Sequence, residues 1–177
     1  MKTILYYTSN SEPIGFEAAV IEKLLENCGD LPIISISQQP LPLGYNICVG
    51  DVGKSTLNMF RQILIGARAA QTEYVVFAEA DFLYPPEYFE FEPTGEDFYR
   101  YDNVWLVYPR RQSYYQIPWS NGAQIAKRQF VIDQLEKYLE GYPEWSMLKP
   151  TKKDYNGAVP TMIHGKIPCL SFKTGLA

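Results

Sequence analysis

An α/β fold with a mostly parallel central sheet and flanking helices is predicted by three observations. Two runs, Thr3 to Thr8 (TILYYT) and Tyr74 to Ala78 (YVVFA), are almost wholly β-branched, aromatic or aliphatic, as strands covered on both faces must be. Between and beside them, apolar residues recur at helical spacing over Ile14 to Asn27 and Thr56 to Gln71. The resulting order, strand, helix, strand, helix, strand, builds a sheet whose ligands gather at the carboxyl ends of its strands.

The first strand ends in the polar turn Ser9-Asn10-Ser11. The following helix puts Phe16, Val20, Ile21, Leu24 and Leu25 on one face, and Gly29 stops it. Pro32 opens a short strand, Ile33 to Ser37, and the proline-punctuated loop QQPLPLG leads to a third, Tyr45 to Val49. Met59, Phe60, Ile63, Leu64, Ala67 and Ala70 line the second helix. Further on, Val104 to Tyr108 (VWLVY) reads as a strand, Gln124 to Leu139 as a helix, and Cys169 to Phe172 as a last short strand.

With 177 residues, 46% hydrophobic and 20% charged, the chain has the length of one domain with a sizeable core. No apolar run approaches the roughly 20 residues needed to cross a bilayer, and MKTILYYTSN turns polar without a cleavage site, so a cytoplasmic protein with no membrane partner is expected. Cys28, Cys48 and Cys169 are widely separated and odd in number, which fits reduced thiols in buried packing and excludes a Cys-only zinc site. Oligomeric state leaves no mark on the sequence.

The net charge of −4 hides a split. Up to Tyr99 the bases are only Lys2, Lys23, Lys54, Arg61 and Arg68, against a cluster including Glu79, Asp81, Glu87, Glu90, Glu92, Glu96 and Asp97. From Arg100 onward Arg110, Arg111, Lys127, Arg128, Lys149, Lys152, Lys153, Lys166 and Lys173 outnumber the acids. Such a split suits a protein that holds a cation with one half and a polyanion with the other, and equally a solvated surface.

The stretch VGDVGKST, Val49 to Thr56, has the Gly-Lys-Ser of a phosphate-binding loop but Cys48 where the pattern needs its first glycine. It is too short to wrap a triphosphate. Two readings remain: a strand-end loop whose Gly53, Lys54 and Ser55 touch a diphosphate, or a plain helix start capped by Ser55. Thr8, Ser9 and Asn10 likewise read as a nucleoside contact or an ordinary turn.

In FAEADFLYPPEYF, Phe77 to Phe89, an apolar strand delivers two carboxylates, Glu79 and Asp81, at its end. Hard oxygen ligands beside a phosphate site are what Mg2+ or Mn2+ needs to bridge a protein to a diphosphate. This segment resembles the DXD motif of GT-A fold glycosyltransferases, with Glu79 in place of the first aspartate. Gly66 to Tyr74 resembles the helix and turn preceding that motif in family-2-like members, and Asn121 to Phe130 the segment lining their sugar and acceptor side.

The resemblance implies a single minimal GT-A-like catalytic domain, a Rossmann-related fold over residues 1–177, with 1–99 the nucleotide and metal half and 100–177 the acceptor half. It implies a metal-dependent glycosyltransferase that moves a sugar from a nucleotide-diphosphate-sugar donor to an acceptor hydroxyl. Mn2+ or Mg2+ would sit on Asp81 with Glu79 and the sole histidine, His164, although a lone histidine is more often an ordinary surface residue. Thr8, Ser9, Asn10, Gly53, Lys54, Ser55 and Glu79 would hold the donor. Trp119, Asn121, Gly122, Arg110 and Arg111 would meet substrate, and Glu144 and Asp97 are the candidates for a base. Small phage-type enzymes of this kind glycosylate hydroxylated bases, which makes DNA an acceptor to test. A nucleotidyltransferase using a nucleoside triphosphate, or a non-catalytic sugar or nucleic-acid binding module, would account for the same acids and aromatics.

Overall fold

In the computed structural model, which describes residues 1–151 and 159–174, alternate residues of the first strand feed two separate cores. This strand, β1 (Lys2–Thr8), sends Ile4 and Tyr6 to one face and Leu5 and Tyr7 to the other, all buried. The elements that follow are α1 (Ile14–Asn27), β2 (Ile33–Ser37), β3 (Tyr45–Cys48), α2 (Thr56–Ala69), β4 (Tyr74–Glu79), β5 (Phe82–Leu83) and α3 (Pro86–Glu90). After them come β6 (Phe98–Tyr101), β7 (Val104–Tyr108), β8 (Ser113–Ile117), β9 (Gln124–Lys127), α4 (Arg128–Leu139), β10 (Thr161–Ile163) and β11 (Cys169–Phe172).

The strands form a seven-stranded sheet, β10-β6-β9-β4-β1-β2-β3, and a four-stranded one, β5-β11-β7-β8. In the larger sheet β4, β1, β2 and β3 are mutually parallel, and β9 alone runs antiparallel to both its neighbours. Helices α2 and α4 pack together over one face, where Phe60, Ile63, Ala67 and Leu135 meet Leu5, Val75 and Phe77. Leu24 of α1 and Tyr84, Tyr88 and Phe89 cover Ile4, Tyr6 and Val76 on the other. Gly66 permits the close approach of α2, since a Cβ there would lie 2.5 Å from Ile36 Cδ1.

Sequence and structure part at Gln124 to Lys127, expected as the first turn of a helix and found as β9. Val75 and Val76 pair with Ala126 and Ile125, and Phe98 and Tyr99 with the same two residues from the other side. Backbone groups thus inserted between two strands gain a ladder on each side, which local helical spacing cannot outweigh. Cys28 and Cys169 are buried as expected, whereas Cys48 is exposed at the end of β3, the edge strand. No helix among the described residues is long and apolar enough to cross a membrane. Lys152 and Lys153 of the basic half lie outside the described residues.

Candidate active site

A parallel strand that ends beside the start of a helix leaves carboxylates, side-chain hydroxyls and unpaired helix N–H groups facing one space. Here the carboxyl ends of β1 and β4 and the amino end of α2 enclose a cavity of about 390 Å³. Thr8 and Ser9 line it from β1, Lys54 and Ser55 from the α2 side, and Glu79 and Asp81 from β4. Ser55 is the N-cap of α2: its Oγ accepts the Asn58 N–H at 3.1 Å and its hydroxyl donates to Ser146 O at 2.6 Å. The positive end of the α2 dipole therefore borders the cavity. Lys54 Nζ donates to Ser11 Oγ at 2.9 Å and lies 3.7 Å from Glu12, a further lining residue.

Asn10 and Gly53 shape the walls. Asn10 adopts a left-handed conformation (φ 52°), and its Oδ1 accepts the Gln38 and Gln39 N–H groups at 2.8 and 2.9 Å. Gly53, at φ 81°, donates its N–H to Gln38 Oε1 and accepts from Gln38 Nε2. Buried Gln62 donates to Thr8 O at 2.8 Å and Ile36 O at 3.1 Å, tying α2 to the ends of β1 and β2.

Glu79 Oε1 accepts the Tyr7 hydroxyl at 2.8 Å, and the Glu79 N–H donates to the Tyr84 hydroxyl at 2.9 Å. Burial, and then the charge of Asp81, push Glu79 up from 4.5 to about 7. Burial also raises Asp81, against the pull of Lys173, whose Nζ lies 3.4 Å from Asp81 Oδ2. The two carboxylates therefore sit poorly solvated side by side, an environment that favours a cation.

No group of three or more His, Cys, Asp or Glu side chains converges as a ready metal cage among the described residues. Mg2+ and Mn2+ commonly take one or two carboxylates and complete their shell with water and substrate phosphate oxygens. The oxygens of Asp81 and Glu79, opening into a cavity bordered by a helix amino end, fit an ion that arrives with a diphosphate.

His164 is elsewhere. It follows β10, three strands from β4, or about 14 Å at the usual strand spacing. Its ring Nδ1 lies 2.5 Å from Asp102 Oδ2, and its side chain is 84% exposed. Asp97 is also remote, because Lys127, its ion-pair partner at 3.1 Å, is in register with Tyr74 at the amino end of β4. Glu144 is exposed on the loop that carries Ser146 to the α2 amino end.

Of the residues expected on the acceptor side, Gly122 abuts Glu79, Trp119 and Asn121 meet Arg100, and Arg110 and Arg111 lie apart on the smaller sheet. Gly122 O accepts the Tyr84 hydroxyl at 2.7 Å, and a Cβ at Gly122 would meet Glu79 Cδ at 2.8 Å. Arg100 stacks 4.2 Å over Trp119 and donates to Asn121 Oδ1 at 3.1 Å. Arg110 and Arg111 are exposed in the turn between β7 and β8, with Arg111 5.4 Å from the Tyr108 ring.

Sequence reasoning missed Tyr7, Glu12, Gln38, Gln62 and Lys173. An acid one residue beyond the Ser9-Asn10-Ser11 turn was a usable signal for Glu12. The other four are brought in by pairing and packing at long range.

This architecture is the GT-A-type fold, which solved glycosyltransferase structures share. A glycosyltransferase involved in the glycosylation of the major capsid of PBCV-1 superposes with a TM-score of 0.53 at 13% identity, over 92% of this chain and 81% of that one. The mannosyltransferase from Pyrobaculum calidifontis, in complex with GDP-Man and Mn2+, gives a TM-score of 0.51 at 15% identity, over 96% of this chain but 56% of that one. No protein-family model and no curated protein matches the sequence.

Proposed function

We propose that the chain is a nucleotide-sugar glycosyltransferase of one GT-A-like unit. The observation that carries this is the joining, in one cavity of about 390 Å³, of two poorly solvated carboxylates with a helix amino end and Lys54. Residues 1–99 supply most of the donor site and 100–177 meet the acceptor, with Lys173 reaching Asp81 from the second half. Thr8 and Ser9, with the wall set by Asn10, Gln38 and Gly53, face the nucleoside, while Ser55, Lys54 and the α2 amino end face the diphosphate. Asp81, aided by Glu79, would hold Mn2+ or Mg2+, which supplies neutralisation of the charge that builds on the departing diphosphate.

The attacking group is an acceptor hydroxyl, whose proton passes to a carboxylate. Of the two expected candidates we retain Glu144, on the loop beside the α2 amino end. For the acceptor we propose a nucleic acid carrying a hydroxylated base. Tyr108 and Tyr115 stack at 5.8 Å beside exposed Tyr114, Arg110 and Arg111, offering planar faces to bases and cations to phosphates. With a sequence pI of about 5.1, such contact is confined to this ribbon.

Calorimetric titration with UDP, GDP and CDP in Mn2+ tests the donor site. Binding of one nucleotide, weakened about tenfold or more by Asp81→Asn, is expected, since charge-assisted contacts contribute about 1.5–3 kcal/mol. No binding of any of the three, or binding indifferent to Asp81, refutes the donor reading. Loss of affinity for a single-stranded oligonucleotide in Arg110→Ala/Arg111→Ala tests the acceptor separately.

A further inference from the structure

A cavity walled by Glu12, Glu79 and Asp81 repels a diphosphate unless a cation stands among the acids. Lys54 already faces Glu12 and is largely exposed. The cation closest to Asp81 comes instead from the far end of the chain.

Strand β11 lies between β5 and β7, and its end is tied to Asp81 on one side and to β7 on the other. The Phe172 N–H donates to Asp81 O at 2.7 Å, and the Lys173 N–H to Val107 O at 2.8 Å. Three successive side chains then meet three partners. Phe172 packs edge-on to Phe16 of α1 at 5.5 Å, Lys173 Nζ approaches Asp81 Oδ2 at 3.4 Å, and the Thr174 hydroxyl donates to Glu12. The Lys173 side chain is 36% exposed, and the distance from its ammonium to Asp81 is longer than the 2.7–2.9 Å typical of a seated charge-assisted bond. An ammonium carries three donors, and the contact with Asp81 uses one of them.

We propose that Lys173 is the resident cation of this site: it binds the diphosphate of a nucleotide when no metal is present, and a divalent ion reaches Asp81 only by displacing its ammonium. This rests on the donor-site reading above and adds to it a metal-free binding mode. One carboxylate oxygen cannot face an ammonium and a divalent ion at contact distance without repulsion between the two cations. Nucleotide affinity without metal and metal affinity without nucleotide should therefore respond to Lys173 in opposite directions.

The test is calorimetry with UDP, GDP, CDP and inorganic pyrophosphate in EDTA, and electron paramagnetic resonance of Mn2+ binding without nucleotide. Both are run on the wild-type chain, Lys173→Met and Lys173→Arg. Expected in EDTA is measurable binding of a nucleotide to the wild type, a loss of about tenfold or more in Lys173→Met, and retention in Lys173→Arg. Mn2+ alone should bind Lys173→Met several-fold more tightly than the wild type. Nucleotide binding in Mn2+ but not in EDTA overturns the inference and leaves the donor site standing. Equal binding to wild type and Lys173→Met in EDTA does the same. A chain that binds no nucleotide under either condition overturns both.

Discussion

Replacing Glu79 by glutamine should flatten the dependence of stability on pH near neutrality. Glu79 closes β4 with one oxygen held by Tyr7 and its carboxylate carbon where a side chain at position 122 would intrude. Burial first, and Asp81 second, raise it from 4.5 to about 7. The folded chain thus holds this proton more tightly than the unfolded one. The stabilisation is fully present below pH 4.5 and is lost as pH rises through about 7. At about 1.4 kcal/mol per pH unit the ceiling is about 3 kcal/mol, and solvent reaching the partly exposed carboxyl brings the expectation to about 1–2 kcal/mol. Glutamine keeps an oxygen for the Tyr7 hydroxyl and carries no charge at any pH. Urea unfolding at half-unit steps from pH 4.5 to 8 should show the wild type losing about 1–2 kcal/mol more than Glu79→Gln. Asp81 is raised too, so the variant keeps a shallower slope of the same sign. Parallel pH profiles for the two proteins would refute the placement of Glu79 in a poorly solvated, negatively charged pocket.

Gly122→Ala should push Glu79 and Phe82 apart, since its Cβ would stand 2.8 Å from Glu79 Cδ and 2.9 Å from Phe82 Cε2. A loss of about 1–3 kcal/mol in urea unfolding, together with weaker nucleotide binding, is expected, and an unchanged midpoint would count against this packing. Ser55→Ala removes the cap of α2 and the hydroxyl bond to Ser146 O, for about 1–2 kcal/mol measured the same way. His164→Ala should leave Mn2+-dependent nucleotide affinity unaltered, because the ring pairs with Asp102 three strands from β4; a tenfold loss would show that the segment carrying it reaches the donor site.

What could be read from sequence divides along the range of the forces involved. Strands β1 and β4 were visible because a parallel strand covered on both faces has no polar side, and α1 and α2 because each buries one face at period 3.6. Strand β9 was not, because Ile125 and Ala126 continue the apolar spacing of Val131, Ile132 and Leu135, and four residues are too few to separate two periods. Only its insertion between β4 and β6 makes it a strand. Strands β6, β8 and β10 lack a clean pattern too, β8 and β10 being short and partly exposed and β6 a four-residue run of three aromatics around Arg100.

The site divides in the same way. Thr8, Ser9, Lys54, Ser55, Glu79 and Asp81 each follow a strand or open a helix, so their position is a local property and a strand-end rule finds them. Which partner each then meets is topological. His164 and Lys173 are both basic side chains just beyond a short C-terminal strand, and nothing local distinguishes them. Strand β10 joins the outer edge beside β6, which carries His164 away from the acids. Strand β11 slots between β5 and β7 and brings Lys173 to Asp81, 92 residues earlier in the chain. Imidazole has the better ligand chemistry, and the lysine is the side chain that arrives. A cation that reaches a carboxylate through strand order is invisible to motif spacing, so a short strand late in the chain can deliver chemistry that its own residues do not announce.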